Sequence, residues 1–170
     1  MPKWLKNEKG LTLVEVTGVL VLTAIILGFL IYLLSYSNTS LQQVSGREKT
    51  MQQSRDIVTQ VVKTVRDGYT PATYPSKTSS LRLLSADNDE AVDYSYNSAG
   101  KSLTVTYTPR DANGHDAASP TSKYTFSDKI ENILFDVKDG RSIEITLTML
   151  LPNNQTKTTT TVVYTTQRNP

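Results

Sequence analysis

Cysteine is absent from the 170-residue chain, and histidine occurs only once, as His115. A chain without cysteine forms no disulfide, carries no thiol nucleophile and offers no thiolate ligands for zinc. His115 lies in a polar stretch between Asp111 and Asp116, but no base and nucleophile are paired there, so a solvated turn is the favoured interpretation. We therefore expect no enzymatic activity, no catalytic residue and no cofactor.

Spacings typical of metal and phosphate sites are also lacking. The stretches 87–90 and 111–116 are acidic, but neither has the ligand spacing of an EF-hand loop. Hydrated turns are therefore favoured over a metal site in both places. No glycine-rich phosphate loop occurs in the sequence.

Net charge is small and unevenly placed. The formal charge is +2, and the three lysines and one glutamate of residues 1–10 account for all of it. Residues 11–170 are formally neutral, which argues against a protein that binds nucleic acid mainly by electrostatics. The residues that follow the predicted helical part of the chain are numerous enough to form one small hydrophobic core.

A long apolar run extends from Leu11 to Leu34 and contains one carboxylate, Glu15. As a helix the run would be about 36 Å long, enough to cross a hydrocarbon layer of roughly 30 Å. An ionised side chain in that layer costs about 2.5–3.5 kcal/mol, so a simple anchor has no reason to carry it. The sequence therefore predicts that Glu15 acquires a charged partner.

Cleavage after Gly10 would supply such a partner, because Leu11 would then expose an α-amino group. Residues 11 and 15 lie on one helix face, and an acid in the first turn also suits the helix dipole. The pair could close within one chain, or Glu15 could meet the amine of a neighbouring subunit. In the second arrangement the charge favours assembly, because docking neutralises it.

The stretch from about Lys6 to Leu34 resembles the prepilin signal of type IV pilins and pseudopilins. It has a short basic leader ending in Gly10, then an apolar residue, Thr, Leu, and Glu15 as the fifth residue after the cut. Leu11 stands where Phe is usual in the family, and Tyr32 stands where Pro is frequent, so a helix kink there is not implied.

This resemblance implies the processing and the partners of the chain. A prepilin peptidase would cleave between Gly10 and Leu11, Leu11 would be N-methylated, and Glu15 would serve assembly. The partners would be other pilin subunits, the membrane platform that assembles them, and membrane lipid before assembly.

Two other interpretations of the N-terminus are weaker. A secretory signal peptide has a shorter apolar stretch and a small-residue cleavage site, which Ser35-Tyr36-Ser37-Asn38 does not provide. In an uncleaved anchor, Glu15 would reach the near interface of the membrane. All three interpretations share one orientation, with a cytoplasmic N-terminus and the bulk of the chain outside, since Lys3, Lys6 and Lys9 precede the run and no Lys or Arg follows it before Arg47. The two interpretations that keep the apolar run in the mature chain predict a single-pass membrane protein. The resemblance adds an extracellular filament after assembly.

The helical period continues beyond the apolar run. Its apolar stripe consists of Leu41, Val44, Met51, Val58, Val62 and Val65, widened by Ile57 and Val61. Asp67-Gly68 predicts the helix end, and Ser35–Ser40 predicts a looser stretch because small polar residues weaken helices. We divide the chain into a leader 1–10, a transmembrane or filament-core helix 11–36, an amphipathic helix 37–67, a loop 68–80 and a β-domain 81–170.

Residues 81–170 alternate apolar and polar side chains in several runs. The runs are centred on Tyr94, Val105, Phe135 and Ile145 and end in a Thr-rich strand over 156–166, with Asp139-Gly140 as a hairpin turn. Tyr124–Phe126 predicts a short strand, and Arg110–Thr121 predicts a long surface loop. The predicted fold class is α+β and pilin-like, with a long N-terminal helix packed on an antiparallel β-meander.

The C-terminal hairpins carry a second resemblance. Ile133–Val137, Asp139–Arg141, Ile143–Leu147 and Gln167–Asn169 are similar to the last hairpins of minor pilins from Gram-positive competence or type IV pilus systems. The similarity implies a low-abundance subunit that primes or caps a filament used in DNA uptake, adhesion or motility.

Three hypotheses for function therefore stand. The first is a minor pilin, a structural subunit of an extracellular filament. The second is a membrane-tethered module that binds DNA or a surface ligand through the sheet and the Arg110–Thr121 loop. The third is a pseudopilin of a type II secretion system, which shares the same N-terminus.

Overall fold

A computed structural model describes residues 13–165 of the chain. Within these residues, one helix precedes eight strands and a single 3₁₀ turn. The chain divides into two compact units, one ending at Val44 and one beginning at Ser45. The α+β class is thereby confirmed. The elements are α1 (Leu13–Arg66), β1 (Thr70–Pro71), β2 (Ser80–Leu84), β3 (Glu90–Asn97), β4 (Ser102–Pro109), β5 (Ser122–Phe126), β6 (Ile130–Lys138), β7 (Ser142–Leu150), a 3₁₀ turn (Pro152–Asn154) and β8 (Thr156–Tyr164).

Helix α1 is 54 residues long and ends where the sequence predicts. Gly68 adopts a φ of 97°, and the last carbonyls of the helix are capped by the Gly68 amide, which donates to Val65 at 3.2 Å, and by the Tyr69 amide, which donates to Thr64 at 3.3 Å. The predicted looser stretch at Ser35–Ser40 is wrong, because the helix is continuous there and the Thr39 hydroxyl donates to the Ser35 carbonyl at 3.0 Å.

The strands form two antiparallel sheets, where the sequence predicted one meander. Strands β1 to β5 follow one another in a five-stranded sheet, and β6, β7 and β8 form a three-stranded sheet. The Ile130 amide still bonds the Lys101 carbonyl at 3.0 Å, but beyond that point β6 pairs with β7 instead of continuing the first sheet. Thr78 and Phe135 exchange two backbone bonds that link the segment before β2 to β6.

The β6–β7 hairpin has the turn that the sequence predicts. Asp139 and Gly140 have φ values of 53° and 64°, the left-handed geometry that two-residue hairpin turns require. A Cβ on Gly140 would lie 2.7 Å from the ring of Tyr74, but that side chain is exposed and can move, so it is the positive φ that favours glycine there.

One hydrophobic core joins the second part of α1 to both sheets. Ile57, Val61 and Val65 of α1 are at most 1% exposed. They pack with inward-facing residues of both sheets, namely Leu81, Leu83, Val92, Tyr94, Leu103, Val105, Ile130, Ile133, Phe135, Val137, Ile143, Ile145, Leu147, Met149 and Val163.

The predicted apolar stripe of the helix is confirmed from Ile57 to Val65, but its centre and its start differ from the prediction. Its centre runs through Ile57 and Val61, while Val58 and Val62 lie at the margin, because the sheets meet the face that also carries Thr50 and Ser54. Leu41 and Val44 are exposed and belong to the first unit.

The buried polar atoms of this core are paired. The Thr64 hydroxyl and the Tyr94 hydroxyl lie 2.8 Å apart, and Thr64 also donates to the Gln60 carbonyl. Burial raises the pKa of Tyr94, which keeps its hydroxyl neutral. Among residues 13–165, no buried side-chain nitrogen or oxygen is left without a hydrogen-bond partner.

Candidate functional site

The apolar segment, residues 13–34, is the most unusual surface of the described chain. Its large side chains are exposed in every direction around the helix axis, from 43% for Leu33 to 83% for Leu13. The helix is long and apolar enough to cross a membrane. A helix of a soluble domain would show one apolar stripe and one polar face, so this segment requires lipid or other helices around it.

The threonine hydroxyls of the apolar segment, those of Thr17 and Thr23, are satisfied within the helix. Thr17 Oγ1 donates to the carbonyls of Leu13 and Val14, each at 3.0 Å, and Thr23 Oγ1 donates to the Val19 carbonyl at 2.8 Å. Bonding of this kind hides the polarity of a side chain from apolar surroundings. The hydroxyls of these threonines therefore add little to the cost of burying the segment in lipid or in a helix bundle.

Glu15 is the one acidic or basic side chain in the sequence of the apolar segment. It lies in the first turn of the described helix, where the positive end of the helix dipole favours a carboxylate. This placement is the one that the sequence predicts. The predicted cleavage site at Gly10 and Leu11, and the predicted methylation of Leu11, lie outside the described residues and stay predictions.

Two glycines leave open space beside the backbone of the apolar segment. A Cβ built on Gly18 or on Gly28 would meet nothing within 4 Å. Small residues on an apolar helix let a second helix approach closely, and Ala24 precedes Gly28 by one turn on the same face. The segment thus offers a place for close contact between helices.

The Arg110–Thr121 loop is the second candidate site, and the structure shows that it is fixed in place. The Arg110 guanidinium donates to the Asn88 side chain, to the Gly114 carbonyl and to Asp116, the last over 3.1 Å from Nε. Arg82 on β2 donates to the same Asp116 carboxylate at 2.5 Å. Two arginines therefore hold one aspartate of the loop against the first sheet.

The pKa values of the two carboxylates beside Arg82 are shifted in opposite directions. The Arg82 hydrogen bond lowers the pKa of Asp116. Asp93 also lies 3.4 Å from Arg82, yet burial outweighs this attraction and raises the pKa of Asp93. The charges of the cluster balance one another, so it stabilises the loop rather than presenting a charged surface to a ligand.

His115 has an exposed side chain at the tip of this loop. Its Nδ1 lies 3.3 Å from Asp111 Oδ2, and the backbone amide of His115 bonds the same carboxylate, which lowers the pKa of Asp111. The predicted solvated turn fits this geometry. Within residues 13–165, no group of three His, Asp or Glu side chains could hold a metal ion.

Sequence reasoning missed the role of Arg82. Leu81 and Leu83 on either side of it are buried, which places Arg82 on the outer face of β2. Its partner Asp116 is 34 residues away, and no local pattern joins the two.

No protein-family model, no curated protein and no solved structure matches this chain.

Proposed function

We propose that this chain is a minor pilin or pseudopilin, a structural subunit of a membrane-assembled extracellular filament. The observation that carries the proposal is the apolar segment, which is exposed on all sides and contains Glu15 in its first turn. A bundle of such helices would bury the apolar side chains that a single chain exposes. It would also bring Glu15 of one subunit close to the N-terminus of a neighbour.

The proposed assembly follows from the chemistry of the N-terminus. A peptidase cuts the chain between Gly10 and Leu11, and the new amine of one subunit pairs with Glu15 of an adjacent subunit. A carboxylate held in hydrocarbon at a cost of about 2.5–3.5 kcal/mol is more stable beside a positive charge. Lipid-embedded subunits are thereby drawn into the filament, and the threonine hydroxyls keep their bonds during the transfer.

The geometry of the segment supports helix-to-helix packing. A methyl group at Gly18 or Gly28 would have no neighbour within 4 Å, so another helix can reach the backbone there. The lysines before the segment favour a cytoplasmic N-terminus, which leaves the two sheets outside the cell.

Intact-mass and N-terminal analysis tests the processing step. The chain is recovered from its native membranes and from sheared filaments, and we expect it to start at Leu11 with one added methyl group. A chain that still starts at Met1 would contradict the proposal. It would instead favour a membrane-tethered binding module.

A pair of variants tests the role of Glu15. Glu15→Gln removes the charge, and we expect processed protein to accumulate in the membrane while its amount in sheared filaments falls by at least about tenfold. Glu48→Gln is the matched control, because Glu48 is an exposed carboxylate on the same helix within the second unit. Equal filament incorporation of both variants would contradict an assembly role for Glu15.

A further inference from the structure

Among residues 13–165, the two sheets have four edge strands, and three of them are protected against added strands. Strand β1 has two residues, one of them Pro71, and β5 has five residues, one of them Lys123. Strand β6 is irregular between Ile130 and Asn132 and bonds Thr78 at its outer side. Short length, proline, lysine and bulges are the usual devices that keep sheet edges from pairing with other chains.

Strand β8 lacks most of these devices. It has nine residues, contains no proline and pairs with β7 without a register shift. Its one charge, Lys157, lies at the start of the strand, and residues 158–164 carry none. Such an edge is long, regular and rich in Thr and Val, the composition that favours further pairing.

The hydrogen-bond phase shows which amides of β8 face the open edge. The Thr165 amide bonds the Arg141 carbonyl at 2.9 Å, just beyond the Tyr164–Ser142 pair. In an antiparallel ladder, hydrogen-bonded residues alternate with residues that are not bonded to the neighbouring strand. The backbone amides and carbonyls of the odd-numbered residues of β8 therefore point toward β7. The amides and carbonyls of Thr158, Thr160 and Val162 therefore point away from the sheet.

An open groove lies beside this edge, between α1 and β8. Its volume is about 420 Å³, and both Met51 and Val58 are half-buried in its wall. A strand added to β8 would direct every second side chain into this groove. The lining includes Met51, Arg55 and Val58 of α1 and Lys157, Thr159 and Thr161 of β8.

The charge of the groove is positive. Arg55 and Lys157 line it, no acidic side chain does, and neither has an ion-pair partner among residues 13–165. A carboxylate on an incoming strand would complement both cations.

We infer that the open edge of β8 binds an extended segment of a partner protein. The segment adds a fourth strand to the β6–β7–β8 sheet, directs small or β-branched side chains into the groove, and carries an acidic residue opposite Lys157. Main-chain hydrogen bonds supply affinity in this mode of binding, and the alternate side chains supply specificity. The inference does not rest on the proposed function, because every residue it uses lies between 51 and 165.

A synthetic peptide tests the inference on the full chain in detergent micelles. The probe is a fluorescent heptapeptide, Val-Thr-Val-Thr-Val-Thr-Asp, which places valines in the groove and Asp opposite Lys157 in an antiparallel arrangement. We expect saturable binding by fluorescence anisotropy. Absence of binding at about 1 mM peptide, the weak end of measurable affinity, would overturn the inference.

Two substitutions at one position separate backbone pairing from side-chain contact. Thr160→Pro removes an outward amide and leaves the bonds to β7 intact, and edge strands accept proline at such positions. We expect at least about a tenfold loss of peptide affinity. Thr160→Val keeps the amide and has a similar shape, so we expect affinity within about twofold of the parent. Equal affinity of both variants would contradict strand addition.

Modified peptides test the same bonds without changing the protein. N-methylation of alternate peptide amides removes donors on one side of the strand only. We expect one alternate set to abolish binding and the other set to leave it unchanged. Equal binding by both methylated peptides would contradict the inference even if Thr160→Pro failed to fold.

Charge reversal and oligomeric state test the partner chemistry. Compared with the Asp peptide, a peptide that ends in Lys is expected to bind the parent chain more weakly and the Lys157→Glu variant more tightly. If the Lys157→Glu variant did not prefer the Lys peptide over the Asp peptide, the inference that the partner segment carries an acidic residue would be contradicted.

A chain that is dimeric in micelles and becomes monomeric with Thr160→Pro would show that a second copy occupies the edge, which would overturn the choice of a different partner.

Discussion

Helix α1 has two regions that differ in surroundings but not in backbone. In the first unit, residues 13–44, apolar side chains occur all around the helix and are exposed. In the second unit, residues 45–66 bury one face and carry Arg47, Glu48 and Lys49 on the other. The comparison shows that the surroundings of the side chains do not decide whether this helix forms, because the backbone is helical in both regions. It also predicts that matched substitutions in the two regions act on different equilibria.

The largest difference is expected from truncating an isoleucine in each region. Ile57→Ala leaves a cavity in a fully packed core and is expected to lower the unfolding free energy by about 2–5 kcal/mol. Ile26→Ala truncates a side chain that is 50% exposed, so we expect no change in the unfolding of the sheets. Urea denaturation followed by the near-ultraviolet circular dichroism of tyrosines measures both. Equal losses would show that the two regions are not energetically distinct.

A charge in the first region is expected to act on membrane insertion instead. Ile26→Arg raises the insertion free energy by about 2.5–3.5 kcal/mol, so the chain should become extractable from membranes by alkaline carbonate. Gln43→Arg is the control, because it lies in the same unit beyond the apolar segment. We expect it to remain in the membrane. If both variants resisted extraction, the apolar segment would not be the membrane anchor.

The threonines provide a smaller contrast of the same kind. Thr64→Val leaves the buried Tyr94 hydroxyl without its partner and is expected to cost about 1–3 kcal/mol of unfolding free energy. Thr23→Val changes a hydroxyl that bonds only the carbonyl of its own helix, so we expect no effect on the sheets.

A double variant checks the cause of that loss. Adding Tyr94→Phe to Thr64→Val removes the second hydroxyl, so no buried polar group is left unsatisfied. We expect the double variant to recover much of the stability, as measured by urea denaturation. A loss equal to the sum of the single losses would contradict the explanation.

The smallest effect is expected at the surface cluster of the second unit. Asp116→Asn should lower the unfolding free energy by no more than about 1 kcal/mol, because the pair with Arg82 is partly exposed. The pKa of Asp116 in the folded chain lies below the usual 3.8, so its contribution is complete above that value and is lost as pH falls through the lower pKa. The gap between parent and variant should therefore be constant at neutral pH and should close below pH 3.8. Asp87→Asn, at an exposed aspartate of the same unit, is the control, and we expect it to leave the unfolding free energy at neutral pH within about 0.5 kcal/mol of the parent.

Elements that depend on local patterns could be predicted from the sequence. The helix end at Gly68 and the turn at Asp139 and Gly140 follow from backbone preferences of single residues, and both are confirmed. The alternation around Tyr94 and Ile145 likewise identified strands whose inward residues are buried.

Features that depend on distant parts of the chain could not be predicted. Alternation marks a strand but does not say which strand pairs with it, so the division into two sheets was missed. The buried face of α1 was misplaced by one residue position, because a wide apolar stripe does not reveal where the sheets will meet it. The hydrogen bond from Arg82 to Asp116 joins two segments of the chain that no sequence pattern relates to each other.

The continuity of α1 from Leu13 to Arg66 has a mechanical consequence. Tension applied to the apolar segment passes along the helix backbone to Ile57 and Val61, which the core holds without any covalent crosslink, since the chain has no cysteine. The force that the protein bears is then set by shearing of packed side chains and by the contact between Thr64 and Tyr94. Once such contacts slip, they can re-form, so the protein would yield under load and recover without chemical repair.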